Sequence, residues 1–345
     1  LHRRQFLKGA ALAGAATVGA ATATVAKVRE VEKQKMAKAA PIPHKPFGKT
    51  GLTVSALGLG GFHLGVPRDA SEADQIVGQA LDAGVTFFDN AWEYHQGESE
   101  MRLGKALKGK RDQVILMTKV CTHGRGKDVA MGMLEDSLRR LQTDHLDVWQ
   151  IHEVVYFNDP DLIFAPGGAA EALAEAKKQG KVRWIGFTGH KDPAIHLKML
   201  ESGFPFDTVQ MPLNCLDATF RSFEKQVLPV ALERGLAVLG MKSLGGSGEM
   251  VTSGTITPEE GLRYAMSLPV ATTISGIDSL YVLNQNLMVA RGFQPLTAQE
   301  MEALRERVRG IASDGRYEKF KTTKFYDGDV GREQHGYPSS KALPL

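Results

Sequence analysis

Eight short apolar runs, each followed by a segment of helical spacing, constrain what this chain can fold into more than any other feature. The runs are 54–59, 85–89, 114–120, 146–152, 182–188, 208–213, 237–241 and 272–277. Between them, 70–83, 129–141, 169–179 and 223–234 carry apolar residues three and four apart, the period of a helix with one buried face. Gly84, Gly180, Gly203 and Gly235 stand where helices stop. The runs are apolar at nearly every position, as strands covered on both faces must be. Strands alternating with helices form right-handed parallel units, and eight such units close into a (β/α)8 TIM barrel. An open doubly wound sheet would carry G-x-G-x-x-G after its first strand. Here Gly58-Leu59-Gly60-Gly61-Phe62-His63 breaks that pattern at its last position. The 345 residues suit a barrel of about 250 residues with extensions.

In such a barrel the active site lies at the C-terminal ends of the strands, so polar residues there are the candidates. The second run ends in Asp89, with Tyr94 shortly after it. The third ends in Lys119 and the fourth in His152. A buried lysine beside a carboxylate is an expensive arrangement, and it makes sense as an ion pair aimed at a reacting group. Hydride delivered to a carbonyl leaves an alkoxide that needs a proton. A tyrosine near its reference pKa of about 10 is a poor acid at neutral pH, and a neighbouring Lys119 ammonium is expected to lower that pKa. Asp89 would hold Lys119 in place, and His152 would orient the carbonyl oxygen. Singly, each residue has a plainer reading as a loop anchor or a satisfied core group. Together on adjacent strand ends they make a site.

The strings that carry these residues resemble the aldo-keto reductases: GLTVSALGLGG (51–61), FDNAWEYHQGESE (88–100), MTKV (117–120), QIHEV (150–154), GKVRWIGFTGH (180–190) and VQMPLN (209–214). The resemblance implies a catalytic tetrad of Asp89, Tyr94, Lys119 and His152 and a nicotinamide cofactor, NAD or NADP. It also implies that the carboxamide of the nicotinamide meets Gln210 and the positions Thr188 and Gly189, where the family has a Ser-Asn pair. Met241 stands where a tyrosine often stacks on the nicotinamide. Lys242, Ser243, Leu244 and Gly246 belong to a glycine-rich loop whose N–H groups are suited to a pyrophosphate. Gly276, Asp278 and Asn286 follow the eighth strand, where the adenosine end binds, and Gly61 and Phe62 complete the cofactor set. Members that use the phosphorylated cofactor carry a basic residue near Asp278. An acid there suits a ribose hydroxyl, which leans the reading toward NAD against a family habit of NADP. The candidate substrate walls are His63, Trp92, His95, His123 and Tyr156, with His95 standing where the family often has glycine. The implied substrate is a small carbonyl or alcohol: an aldehyde, a ketone or a sugar-like molecule.

Residues 1–8, LHRRQFLK, lead into a run of Ala, Gly, Thr, Val and one Leu up to residue 26. This segment resembles a twin-arginine export signal ending in A-x-A-like cleavage positions. It predicts the export machinery as a partner and a periplasmic or otherwise exported destination, with a cytoplasmic one as the alternative. Residues 27–46, charged and holding Pro41, Pro43 and Pro46, read as a linker, and 47–345 as the barrel with its C-terminal extension. Arg3, Arg4 and Lys8 account for the net charge of +3, so the remainder is balanced and offers no electrostatic case for nucleic acid. Cys121 and Cys215 are too few for a disulfide framework, with a single bridge left open. No CxxC, HExxH or zinc-spaced His/Cys cluster occurs, so spacing predicts no metal site. Residues 297–309 read as one more helix, with Thr297 and Glu300 forming a capping box. The tail 317–338 holds five aromatic residues, too many for a disordered end, and is expected to pack across the barrel. Two rival functions stand beside the enzyme. One is a cofactor-binding regulatory subunit with little turnover, which loss of a tetrad residue would favour. The other is an unrelated (β/α)8 isomerase or lyase, which would carry phosphate loops after both the seventh and eighth strands.

Overall fold

The computed structural model describes residues 40–67, 69–121, 125–324, 326–339 and 342. The export-like segment 1–26, most of the linker and His123 lie outside them. A short hairpin comes first, β1 (His44–Pro46) paired antiparallel with β2 (Thr53–Ser55). Residues 44–46 are therefore strand rather than linker. Ile42 is buried just before them, and a proline is tolerated in an edge strand, whose outer side has no ladder to interrupt. The hairpin turn drives Phe47 into the base of the barrel, where its ring lies 5.9 Å from Phe87 and 5.7 Å from Trp184. Gly48 makes this approach possible. Its φ is +54°, and a Cβ there would stand 2.5 Å from the Ala237 amide nitrogen.

Eight parallel strands close the barrel: β3 (Leu57–Gly60), β4 (Phe87–Asp89), β5 (Ile115–Val120), β6 (Leu146–Ile151), β7 (Val182–Thr188), β8 (Thr208–Pro212), β9 (Ala237–Met241) and β10 (Thr272–Gly276), with β10 returning to β3. This is the (β/α)8 architecture that the alternation predicts. The first apolar run divides at Ala56, because Val54 serves the hairpin and Leu57 opens the barrel. Phe87, Met117, Val148, Leu239 and Ile274 fill the barrel interior with Phe47. The opposite faces of the strands meet the surrounding helices in one continuous apolar layer.

Those helices are α1 (Ala70–Asp82), α2 (Glu98–Ala106), α3 (Lys127–Leu141), α4 (Asp159–Ile163), α5 (Ala169–Lys178), α6 (Pro193–Glu201), α7 (Phe223–Gln226), α8 (Leu228–Glu233), α9 (Glu249–Thr252), α10 (Pro258–Ser267) and α11 (Leu280–Ala290). The single helix expected over 223–234 breaks into α7 and α8. Pro229 cannot donate a hydrogen bond, and its ring crowds the carbonyl four residues back. Beyond the barrel, α12 (Ala298–Ala312) starts with the expected Thr297–Glu300 capping box. The tail then adds α13 (Lys319–Thr322) and α14 (Asp329–Gln334). A buried cluster anchors α13. Lys321 Nζ donates to Asp217 Oδ1 at 2.6 Å, to Glu318 Oε2 at 2.8 Å and to the Phe220 carbonyl at 2.8 Å. Lys191 pairs with Asp327 at 2.5 Å further along. Cys121 and Cys215 are both buried free thiols.

Candidate active site

Asp89 is the last residue of β4, and Lys119 lies one residue before the end of β5. Neighbouring parallel strands therefore bring their side chains to the same rim. Lys119 Nζ stands 2.5 Å from Asp89 Oδ1, 2.7 Å from the Asn90 carbonyl and 3.3 Å from Tyr94 Oη. Asp89 and Lys119 are buried, while Tyr94 keeps part of its surface open. The Tyr94 ring lies edge-on to His152 at 5.7 Å and to Phe62 at 5.3 Å. All four tetrad residues thus meet in one place. One expectation is corrected. The Tyr94 pKa is not lowered but raised well above 10, first by burial and then by the Asp89, Glu93 and Glu153 carboxylates. The Lys119 ammonium sits closer to Asp89 than to the phenol, so the nearby negative charges dominate. Asp89 itself is pushed up by burial, against the pull of Lys119.

His152 follows β6 directly, and its position is held from behind. The buried Arg125 guanidinium donates to the His152 carbonyl at 3.0 Å, to the Glu153 carbonyl at 2.9 Å and to Asp159 Oδ1 at 3.0 Å. Asp159 Oδ2 accepts in turn from the Val155 and Tyr156 amides, both at 2.8 Å. Burial alone would raise the Asp159 pKa, but Arg125 and these hydrogen bonds hold it well below the usual carboxylate range. His152 Nδ1 is in contact with the Glu93 carboxylate. Sequence reasoning singled out none of Arg125, Asp159, Glu93 or Glu153. Glu93 and Glu153 are each adjacent to a tetrad residue, which was the one available signal.

Several residues on the neighbouring rim suit the amide and phosphates of a nicotinamide nucleotide. Gln210 is buried, and its Oε1 has no hydrogen-bond partner among the described residues. It lies opposite the buried Thr188 in the β7–β8 register. A buried carbonyl oxygen of this kind calls for an N–H donor such as a carboxamide. Gly189 departs from the family's asparagine because a Cβ there would lie 2.3 Å from the Val154 carbonyl oxygen. His190 follows it, buried, with an Nε2 that also has no hydrogen-bond partner among the described residues. Lys242 Nζ lies 3.8 Å from Met241 Sδ, and its sheltered position lowers its pKa to about 8. Ser243 is buried and Leu244 half-buried beside it. The glycine-rich loop is folded on itself. The amides of Gly245, Ser247 and Gly248 bond to the Lys242, Gly245 and Leu244 carbonyls, so they would have to turn to cradle a phosphate. Gly246 faces the Phe320 ring of the tail. Gly61 is hemmed in, since a Cβ would lie 2.3 Å from the Asp89 carbonyl oxygen. Asn286 Nδ2 donates to Ser275 Oγ at 2.9 Å beside the exposed Gly276. Asp278 is exposed and accepts from the Ser279 hydroxyl at 3.2 Å. That placement gives the lean toward NAD no support.

The candidate walls divide. Tyr156, in the loop after β6, packs against the tail, its ring 4.6 Å from His335 and 5.1 Å from Tyr337. His63 lies instead against Gly276 and near Asp278, on the proposed cofactor side. Trp92 is turned away from the tetrad. Its Nε1 donates to Asp136 of α3 at 3.3 Å, and Arg140 covers its ring. His95 packs on Phe62, with Nε2 2.9 Å from the Phe62 carbonyl oxygen. Its φ of +50° is the left-handed backbone that glycine adopts without cost.

The aldo/keto reductase family model matches residues 56–258. The aldo-keto reductase YhdN of Bacillus subtilis is 32% identical over 209 residues, covering 56% of this chain and 60% of that protein. The 6-dehydroglucose reductase of Novosphingobium aromaticivorans is 30% identical over 223 residues, covering 60% of this chain and 71% of its own. Among solved structures, the holo form of aldo-keto reductase AKR11C1 from Bacillus halodurans superposes with a TM-score of 0.66 at 25% identity, covering 77% of this chain and 96% of that one. With the eight-stranded barrel and the four residues assembled at its rim, the matched segment shows that this chain belongs to the aldo/keto reductase family.

Proposed function

We propose that this protein is an oxidoreductase that interconverts a carbonyl and its alcohol with a nicotinamide cofactor, and that its substrate is sugar-like. The observation that carries the reading is the Lys119 ammonium held between Asp89 and Tyr94, 2.5 Å from the one and 3.3 Å from the other. When bound, the nicotinamide supplies the hydride or accepts it. In reduction, Tyr94 Oη gives its proton to the carbonyl oxygen, and Lys119 donates a hydrogen bond to the phenolate left behind. Asp89 keeps Lys119 on that side, and the His152 imidazole orients the oxygen. Solvent restores the tyrosine proton, and oxidation runs the same path in reverse. A sugar-like substrate is supported by the name of the Novosphingobium relative and by the Tyr156, His335 and Tyr337 rings clustered beyond β6, the strand that leads into His152. The segment 1–26 supports an exported destination through the twin-arginine route, with the chain folding before transport. The test is purification followed by identification of any bound nucleotide, then assay with NADH and NADPH against aldehydes, ketones and oxidised sugars. Nucleotide-dependent turnover supports the proposal. Nucleotide binding without turnover on any of these supports the regulatory reading instead.

A further inference from the structure

Glu93 lies against the tetrad, its carboxylate in contact with His152 Nδ1. Its two carboxylate oxygens are buried, and neither accepts an N–H or O–H hydrogen bond among the described residues. A buried carboxylate in that state costs several kcal/mol unless a proton or a cation accompanies it. Beside it lies the His152 imidazole, its side chain 10% exposed, with Nδ1 turned to Glu93 and no aligned hydrogen bond there. Glu153 supplies a second carboxylate. One ligand-type atom from each of Glu93, His152 and Glu153 lies within 4.8 Å of the others. Glu153 Oε2 accepts from the Gly328 amide at 3.0 Å, which ties this carboxylate to the tail.

We infer that Glu93, His152 and Glu153 form a binding site for a divalent transition-metal ion such as Zn2+. Two carboxylates and one imidazole are a ligand set that such ions take, at about 2.0–2.2 Å from each donor. The buried Cys121 is not among the residues whose ligand atoms converge, so the carboxylates and the imidazole are the ligands assigned. Sequence spacing could not reveal the site, because Glu93 and His152 come from different loops and neither lies in a recurring metal motif. A metal on Nδ1 fixes the imidazole tautomer with its proton on Nε2. That nitrogen remains available as a donor to the substrate oxygen, a role that rests on the reading of His152 above.

The full chain, stripped with a chelator, should bind one Zn2+ per molecule by calorimetry, and Co2+ should give ligand-field absorption on the same stoichiometry. Glu93→Gln should weaken Zn2+ binding by about 100-fold. Glu153→Gln should weaken it similarly, and serves as the second variant if the first does not fold. Stoichiometric binding that both variants weaken supports the site. Absence of Zn2+ binding at millimolar concentration, or binding that neither variant changes, overturns it and leaves Glu93 and His152 as an ion pair only. Turnover is measured separately. Turnover without metal binding overturns this inference alone, whereas metal binding without nucleotide-dependent turnover overturns the proposed oxidoreductase function alone.

Discussion

Tyr94 holds its proton more firmly than a free phenol, because burial and the Asp89, Glu93 and Glu153 carboxylates all oppose ionisation. The sign of the pH dependence follows. Carbonyl reduction uses the protonated phenol, so its rate should show no alkaline loss from Tyr94 up to about pH 9. Alcohol oxidation uses the phenolate and should still be rising with pH over the same range. Steady-state profiles in both directions check this, and an alkaline collapse of reduction assigned to Tyr94 would contradict it. A second test at this scale concerns Asp278, which is exposed near His63. Asp278→Arg should favour the phosphorylated cofactor over the unphosphorylated one by about 1.5–3 kcal/mol, the worth of a hydrogen bond to a charged group. Titrating both nucleotides against wild type and variant measures it. An unchanged preference would place the 2′-phosphate elsewhere.

At the scale of elements, the loop after β6 and the tail are held by buried ion pairs rather than by apolar contact alone. Arg125 and Asp159 are both fully buried, and Arg125 also bonds the carbonyls of His152 and Glu153. Arg125→Met should cost about 3–5 kcal/mol, since it leaves Asp159 buried without its guanidinium. It should also lower turnover through displacement of His152. Denaturant unfolding and single-turnover kinetics report the two effects separately. The α13 anchor behaves differently with pH. Burial and the neighbouring Asp217 push the Glu318 pKa up to about 7, against the pull of Lys321. A carboxyl raised on folding contributes stability that is complete below its unfolded value of about 4.3 and is lost as pH rises through 7. Glu318→Gln should therefore flatten the fall in stability between about pH 4 and pH 7, as thermal melts across that range will show. A slope equal to that of wild type would contradict the assignment.

For the molecule as a whole, the barrel was legible because its strands are continuous apolar runs and its helices repeat at one period. The strand bounds 182–188 and 237–241 were read without error. The hairpin was not legible because His44–Pro46 ends in a proline and has no apolar residue to alternate. The tetrad was legible because each member is tied to a strand end, and strand ends converge in this fold. Arg125, Asp159, Lys321 and Asp217 were not legible. Their partnerships join residues 34 and 104 positions apart in the chain, and no local pattern marks such pairs. Trp92 shows the converse limit: its place in the chain, beside Tyr94, suggested the pocket, but its indole N–H turned to Asp136 on α3. The central claim is that the phenol held beside Lys119 and Asp89 transfers the proton. The most direct measurement is turnover of Tyr94→Phe with nicotinamide nucleotide bound. The account predicts a loss on the order of 10²–10⁴ in turnover with nucleotide affinity close to wild type. Turnover retained near the wild-type rate in that variant would contradict it.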